Sequence, residues 1–184
     1  MFYPPSEDTY LMEDALRERP ETGVKCIVEV GSGSGYISNV LSMLYPSAHV
    51  ISTDINPHAT EETRRACCAI NATAVRASMV EGIKKKIDMA VFNPPYLPSE
   101  QKYLHGDWID RSWAGGADGM EITDKFFAET SHIPVRYVVL CQYNNPRNVE
   151  ARLMREGYSV QTIKQKKVLN ERLLVIRIEK APEP

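Results

Sequence analysis

Apolar positions along the chain switch between a helical spacing and short continuous runs. From Ser6, the segment SEDTYLMEDALRER sets Leu11 with Ala15 and Met12 with Leu16 four positions apart, which predicts a helix with Ser6 as its cap. Residues 25–30 form a short apolar strand that ends in GSGSG. Tyr36, Ile37, Val40, Leu41 and Leu44 then return at helical spacing as far as Pro46. Residues 49–53 read as a second strand, closed by Asp54. Asn56-Pro57 opens another helix, Asn as cap and Pro in the first turn, expected to run to about residue 70. A short strand over 74–77 is followed by one over 87–92, apolar almost throughout, as in a strand covered on both faces. The stretch 97–119 has no clean period, and at that length it predicts a functional loop rather than a plain connection. A helix over 120–130, a strand over 137–141 and a helix from Asn145-Pro146 to Met154 come next. Strands over 158–163 and 173–178 close the chain as a hairpin with a long connection rich in Lys and Gln.

Alternating strands and helices with two terminal strands describe a doubly wound α/β domain. The expected form is a Rossmann-like, seven-stranded, mostly parallel sheet with helices on both faces and a C-terminal antiparallel hairpin. The 184 residues suit one domain over 1–184, large enough to bury a core without disulfides or metal. A net charge of -2 exerts no general pull on phosphate backbones, so a nucleic-acid substrate would need a local basic patch. Cys26 and Cys141 lie inside apolar runs, Cys67 and Cys68 are adjacent near a helix end, and His49, His58, His105 and His132 are scattered. This pattern argues against both a zinc site and a disulfide framework, and no metal is expected. The opening MFYPPSEDTY is not an apolar signal segment and no window has the length of a membrane span, so an intracellular location is expected.

The first strand-to-helix loop carries the cofactor chemistry. In EVGSGSG, glycines 31, 33 and 35 let a ligand approach the backbone closely, and Asp54 stands 23 residues after Gly31 at the end of the next strand. A carboxylate there can accept hydrogen bonds from both hydroxyls of a ribose. Dinucleotide loops have the spacing GxGxxG and set a pyrophosphate on a helix N-terminus. Here the spacing is GxGxG and Glu29 precedes it. That carboxylate would repel a pyrophosphate but suits a cofactor bearing an ammonium and a sulfonium, S-adenosyl-L-methionine, with S-adenosyl-L-homocysteine as product. A capping role for Asp54 ahead of Asn56-Pro57, and a strand-end role for Glu29, stay open.

Asn93-Pro94-Pro95-Tyr96 follows the apolar strand that ends at Phe92, where ligands bind in such sheets. A bare turn is one reading. The other is chemical. An amide or exocyclic amino nitrogen is a poor nucleophile because its lone pair is delocalised. Two acceptors for its N–H groups would aim it at a methyl group and favour the charge that develops on it. The Asn93 side-chain oxygen and the Pro94 carbonyl can be those acceptors, Pro95 would stiffen the loop, and the Tyr96 ring would stack on a planar substrate. No base is needed before transfer, because the proton can leave once the nitrogen is cationic.

EVGSGSG, TDINP at 53–57 and NPPY at 93–96, in this order, resemble the class I methyltransferases that modify amino nitrogens. YPPSEDTYLMEDAL at 3–16, WAGGADG at 113–119 and NNP at 144–146 narrow the resemblance to the HemK-related glutamine methyltransferases of class I translation termination factors, in their eukaryotic and archaeal form. It covers nearly the whole chain, without the N-terminal helical domain of bacterial relatives. The resemblance implies the class I methyltransferase fold and N5-methylation of the glutamine in a Gly-Gly-Gln motif. The factor, alone or with its GTPase partner, would be the substrate, in the cytoplasm with the nucleus also open. Carried over by position, Glu29 and Gly31 would line the methionine moiety, Asp54 would hold the ribose, Thr9 would reach the cofactor from the first helix, and Gly33, Gly35 and Ile55 would belong to the same cofactor site. Asn93, Pro94, Pro95 and Tyr96 would hold the acceptor glutamine, and Asn93 also borders the cofactor across its methyl group. Many members have an acidic residue where this chain has Ser78-Met79, which leaves the adenine contact to those two. Phe92 would lie against the adenine or fill the core. The resemblance also implies a small zinc-binding activator protein, forming a heterodimer through the exposed sheet edge at 73–77, where Thr73, Ala74 and Val75 make a sparse apolar lip up to Ala77.

Two other functions remain in view at this stage. An adenine-N6 methyltransferase on DNA or RNA would need a cationic track, for which Lys84-Lys85-Lys86 and Lys164, Lys166 and Lys167 are the obvious material. A non-catalytic cofactor-binding scaffold would not need the joint presence of Glu29, Asp54 and NPPY.

Overall fold

The computed structural model describes residues 3–67 and 71–180. Its strands are β1 (Cys26–Val30), β2 (His49–Asp54), β3 (Ala72–Arg76), β4 (Met89–Phe92), β5 (Val135–Cys141), β6 (Tyr158–Val168) and β7 (Glu171–Lys180). Its helices are α1 (Glu7–Glu18), α2 (Tyr36–Leu44), α3 (Pro57–Ala66), the short α4 (Gln101–Leu104) and α5 (Asp110–Trp113), α6 (Glu121–Glu129) and α7 (Pro146–Arg155). The sheet is ordered β3-β2-β1-β4-β5-β7-β6. β1 pairs in parallel with β2 and β4, β2 with β3, and β4 with β5, while β7 runs antiparallel to both β5 and β6. The seven-stranded, mostly parallel architecture with its C-terminal hairpin is the one the sequence predicts.

Every residue of β1, β4 and β5 is buried, because both faces of these strands are covered. Neighbouring residues serve opposite faces. Ile27 packs with Leu11, Met12, Leu16 and Leu41 from α1 and α2, and Val28 joins the cluster that includes Phe126 and Leu153 from α6 and α7. The chain winds from β1 out to β3, then returns to place β4 on the other side of β1. Such a reversal leaves a crevice at the carboxyl ends of β1 and β4.

Several boundaries differ from the sequence reading. The strand expected over 87–92 starts at Met89, because the Asp88 carboxylate turns back to accept from the amides of Lys25 and Cys26, at 2.9 and 3.0 Å. α3 ends at Ala66, and the continuation expected to residue 70 runs into 68–70, outside the described residues. β3 starts at Ala72 and forms the sheet edge, with Thr73, Val75 and Arg76 exposed. The hairpin has no long connection. Its Lys- and Gln-rich residues are the outer half of β6, paired with β7 as far as Val168 and Glu171. Their charge hid a strand whose outer face is solvated, as edge strands commonly are. Ser6 is the N-cap of α1 as expected, in extended backbone conformation, and its backbone N–H donates to Thr9 Oγ1 at 3.3 Å.

Candidate active site

A cleft of about 690 Å³ opens over the carboxyl ends of β1, β2 and β4. Gly31 begins its floor with φ of 66°, in the left-handed region, and an added Cβ would stand 3.0 Å from the Phe92 ring. Phe92 therefore does two jobs: it packs on Phe126 in the core, ring centroids 5.1 Å apart, and its edge lines the cleft. The Asp54 carboxylate accepts from the Gly33 amide at 3.0 Å and the Asn56 amide at 2.8 Å. Burial pushes this carboxyl above its usual range, against the pull of those amides and of the Arg111 charge. Glu29 is buried at the end of β1, where the Ser38 hydroxyl donates to it. Burial pushes it up to about 8, the Ser38 and Ser52 hydroxyls work against this, and the Asp54 charge adds to the rise. Both carboxyls thus face a cleft in a state that hydroxyl donors and a cation would relieve.

The Asn93-Pro94-Pro95-Tyr96 segment forms the adjoining wall. Asn93 Oδ1 is buried and accepts no hydrogen bond from the described residues. Tyr96 is held at both ends. Its hydroxyl donates to Asp8 Oδ2 at 3.2 Å, and its backbone carbonyl accepts from Asn144 Nδ2 at 2.8 Å. The same Asn144 amide reaches the carbonyls of Asp118 and Gly119, and its Oδ1 accepts from the Cys141 amide at the end of β5. A Cβ on Gly119 would stand 2.2 Å from the Tyr96 carbonyl oxygen, so the WAGGADG run lies against the NPPY loop at a distance that only glycine allows. Asp8 is itself buried and accepts from the Thr9 amide at 2.7 Å and the Thr9 hydroxyl at 3.2 Å, which ties α1 to the wall.

The aperiodic stretch 97–119 folds over the cleft mouth. A bridge between Leu97 and Ala114 and the bond from the Gly115 amide to the Leu97 carbonyl, at 2.8 Å, close its base. Trp108, Arg111 and Trp113 project into the lining, with the Arg111 guanidinium 4.6 Å from the centre of the Trp108 ring. On the far wall Lys125 Nζ donates to Ser78 Oγ at 3.0 Å.

Of the residues singled out in the sequence, Thr9, Glu29, Gly31, Gly33, Asp54, Ile55, Ser78, Met79, Asn93, Pro94, Pro95 and Tyr96 all line this one cleft. Gly35 does not. It begins α2, where a Cβ would meet the Thr63 Cα at 2.8 Å, so this position serves the packing of α2 on α3. Sequence reasoning missed Asp8, Lys125, Arg111 and Asn144. Asp8 stands beside Thr9 in the same motif and Asn144 inside the NNP motif, which were the available signals. Among the described residues, no group of three or more His, Cys, Asp or Glu could hold a metal ion.

The sequence model of the methyltransferase small domain family matches residues 9–107. Mouse "Methyltransferase HEMK2" is 35% identical over 97% of this chain and 90% of its own length. The Schizosaccharomyces pombe "eRF1 methyltransferase catalytic subunit mtq2" is 28% identical over 96% and 88%. Among solved structures, the E. cuniculi Mtq2-Trm112 complex, described as responsible for methylation of the eRF1 translation termination factor, superposes with a TM-score of 0.80 at 32% identity. It covers 98% of this chain and 99% of the matched one.

Proposed function

Since the chain belongs to the methyltransferase small domain family, we propose that it methylates N5 of a glutamine side chain, that of the Gly-Gly-Gln motif in a class I translation termination factor. The full-length relatives named for that reaction support the assignment. S-adenosyl-L-methionine supplies, when bound, a methyl group on a positively charged sulfur. The cleft suits it. Asp54 would accept from ribose hydroxyls, Glu29 would offer a buried carboxylate to the ammonium, and Gly31 and Gly33 keep the floor open.

The observation that carries the reading is the unpartnered Asn93 Oδ1. A buried acceptor without a donor costs about 1–3 kcal/mol, a cost removed when an amide N–H arrives. With the Pro94 carbonyl as second acceptor, the glutamine NH2 is oriented, and charge growing on nitrogen is stabilised. Asp8 fixes the Tyr96 ring through its hydroxyl, and Asn144 fixes the backbone beneath it. After transfer, the nitrogen loses its extra proton to solvent.

A nucleic-acid substrate fits the charges poorly. Lys164 and Lys166 pair with Glu18 and Glu7 of α1. Lys85 acts on Cys26 and His49, at the amino ends of β1 and β2, opposite the cleft. The edge strand β3 offers an added strand its exposed side, and we place there the small zinc-binding activator of a cytoplasmic heterodimer; that the similar Mtq2 forms a complex with Trm112 supports a heterodimer.

The test is Asn93→Ala. The turnover rate should fall by ~10²–10³ while adenosylmethionine affinity, measured by calorimetry, changes little. An unchanged rate, or equal losses in rate and cofactor affinity, would contradict the assigned role.

A further inference from the structure

The cleft explains where a glutamine is held and leaves open how a folded protein is recognised around it. One exposed feature stands beside its mouth. β7 pairs with β5 so that Leu173 faces Cys141, and β6 pairs with β7 out to Val168 and Glu171. The two-residue turn Leu169-Asn170 therefore projects from the same end of the sheet as the cleft. Side chains link it to the NPPY wall. Gln142 Nε2 donates to the Asn170 carbonyl at 2.9 Å, Asn144 in the same short turn donates to the Tyr96 carbonyl, and the Glu171 charge acts on the Tyr96 hydroxyl.

Leu169 is the odd residue in that turn. Its φ is 51°, in the left-handed region that favours Gly, Asn or Asp, and it is 90% exposed. Backbone strain and solvent contact both disfavour leucine here, and no packing among the described residues offsets them. Tyr143, 50% exposed, follows the Gln142 that reaches Asn170, and Tyr3, 41% exposed, lines the cleft and borders Tyr96. The rim between the hairpin tip and the cleft thus presents exposed apolar side chains at both its ends.

We infer that Leu169 and Tyr143 form a docking point for the protein that carries the acceptor glutamine, engaging an apolar surface outside the Gly-Gly-Gln loop. This rests on the protein-glutamine reading above. The opposite wall, at Ser78 and Asp54, belongs to the cofactor side, so an incoming protein has the hairpin side as its approach. The rim's charges are mixed: Lys166 pairs with Glu7, and Glu171 stands next to Arg172. Apolar contact, rather than attraction to a polyanion, is therefore the chemistry on offer.

The experiment compares Leu169→Gly and Leu169→Asp with the unsubstituted full chain, with the activator included, on two substrates. One is the intact termination factor, the other a short Gly-Gly-Gln peptide that cannot reach the tip. KM for the factor should rise ~5–10-fold, the loss typical of one anchoring side chain. KM for the peptide, kcat on both substrates and adenosylmethionine affinity should hold. The thermal midpoint of Leu169→Gly should equal or exceed that of the unsubstituted chain, because glycine relieves the turn. Unchanged KM for the factor, or equal losses on factor and peptide, would overturn the docking proposal. If the unsubstituted chain methylates neither substrate, the protein-glutamine reading fails and the docking proposal falls with it.

Discussion

At residue scale, the site is a set of polar groups held ready at a cost. Asn93 Oδ1 is buried without a donor, and Glu29 is buried beside another carboxyl. The Glu29 carboxyl has a direct pH consequence. In the folded, cofactor-free chain it holds its proton up to about 8, against an ordinary value of 4.5. The folded state thus binds a proton that the unfolded state releases, so this group's contribution to stability falls as pH rises from 4.5 towards 8. A bound ammonium reverses the preference and expels the proton. Adenosylmethionine affinity should therefore climb through that window and level off above it. Calorimetry near neutral pH, in buffers of different ionisation enthalpy, should record proton release on binding, and Glu29→Gln should abolish most of it. Affinity independent of pH in the unsubstituted chain would contradict this account of Glu29. These residues were legible in the sequence because each sits in a contiguous motif whose chemistry can be argued locally. Asp8 and Asn144 act on Tyr96 from 88 and 48 positions away, and no local pattern encodes such contacts.

At the scale of elements, the strands and helices read from apolar spacing lie close to where the pattern sets them, and the errors share a cause. Ile87 and Asp88 looked like strand, but a side chain bonded to the amides at the start of β1 ends the pairing. The Lys- and Gln-rich half of β6 looked like a loop, but one face of an edge strand needs no apolar residues. The 97–119 stretch read as a functional loop, and its tryptophans do line the cleft, though its two short helices were invisible to periodicity. The connection from α1 to β1 hides another long-range device. Glu21 accepts from the Tyr137 hydroxyl at 2.6 Å and from Arg177 Nη2 at 3.0 Å, and its own amide donates to the Tyr45 hydroxyl at 3.0 Å. The Arg177 side chain is 6% exposed and that of Glu21 14%. Glu21→Ala should cost about 1–3 kcal/mol, the loss expected when hydrogen bonds to a charged group are removed while Glu179 still pairs with Arg177. Burial alone would raise the Glu21 carboxyl, yet Arg177 and Tyr137 hold it below 4.5. Its stabilisation is therefore present above pH 4.5 and lost as pH falls through the lowered value. Denaturant titrations at neutral and acidic pH check both statements. A variant as stable as the unsubstituted chain at neutral pH would show that the network contributes nothing.

At the scale of the molecule, the sheet divides the tasks along its order. β1, β2 and β4 end in the cofactor cleft, and the short turn after β5 carries Asn144, which braces the NPPY wall. The hairpin of β6 and β7 lifts an apolar tip beside the cleft mouth, and β3 leaves an edge free for a partner at the far side. Activator and substrate would then approach from different directions without competing. The fold was legible because a doubly wound sheet follows from alternation of elements. The recognition surfaces were not, since exposure at Leu169 depends on a register that periodicity does not fix. The most direct measurement is site mapping by mass spectrometry of a termination factor incubated with the chain, its activator and labelled adenosylmethionine. The account predicts one methyl on the glutamine of the Gly-Gly-Gln motif, and none when that glutamine is replaced by asparagine, whose amide falls one methylene short of Asn93. Undiminished labelling of the asparagine variant, or labelling of adenine in nucleic acid with none in the protein, would contradict it.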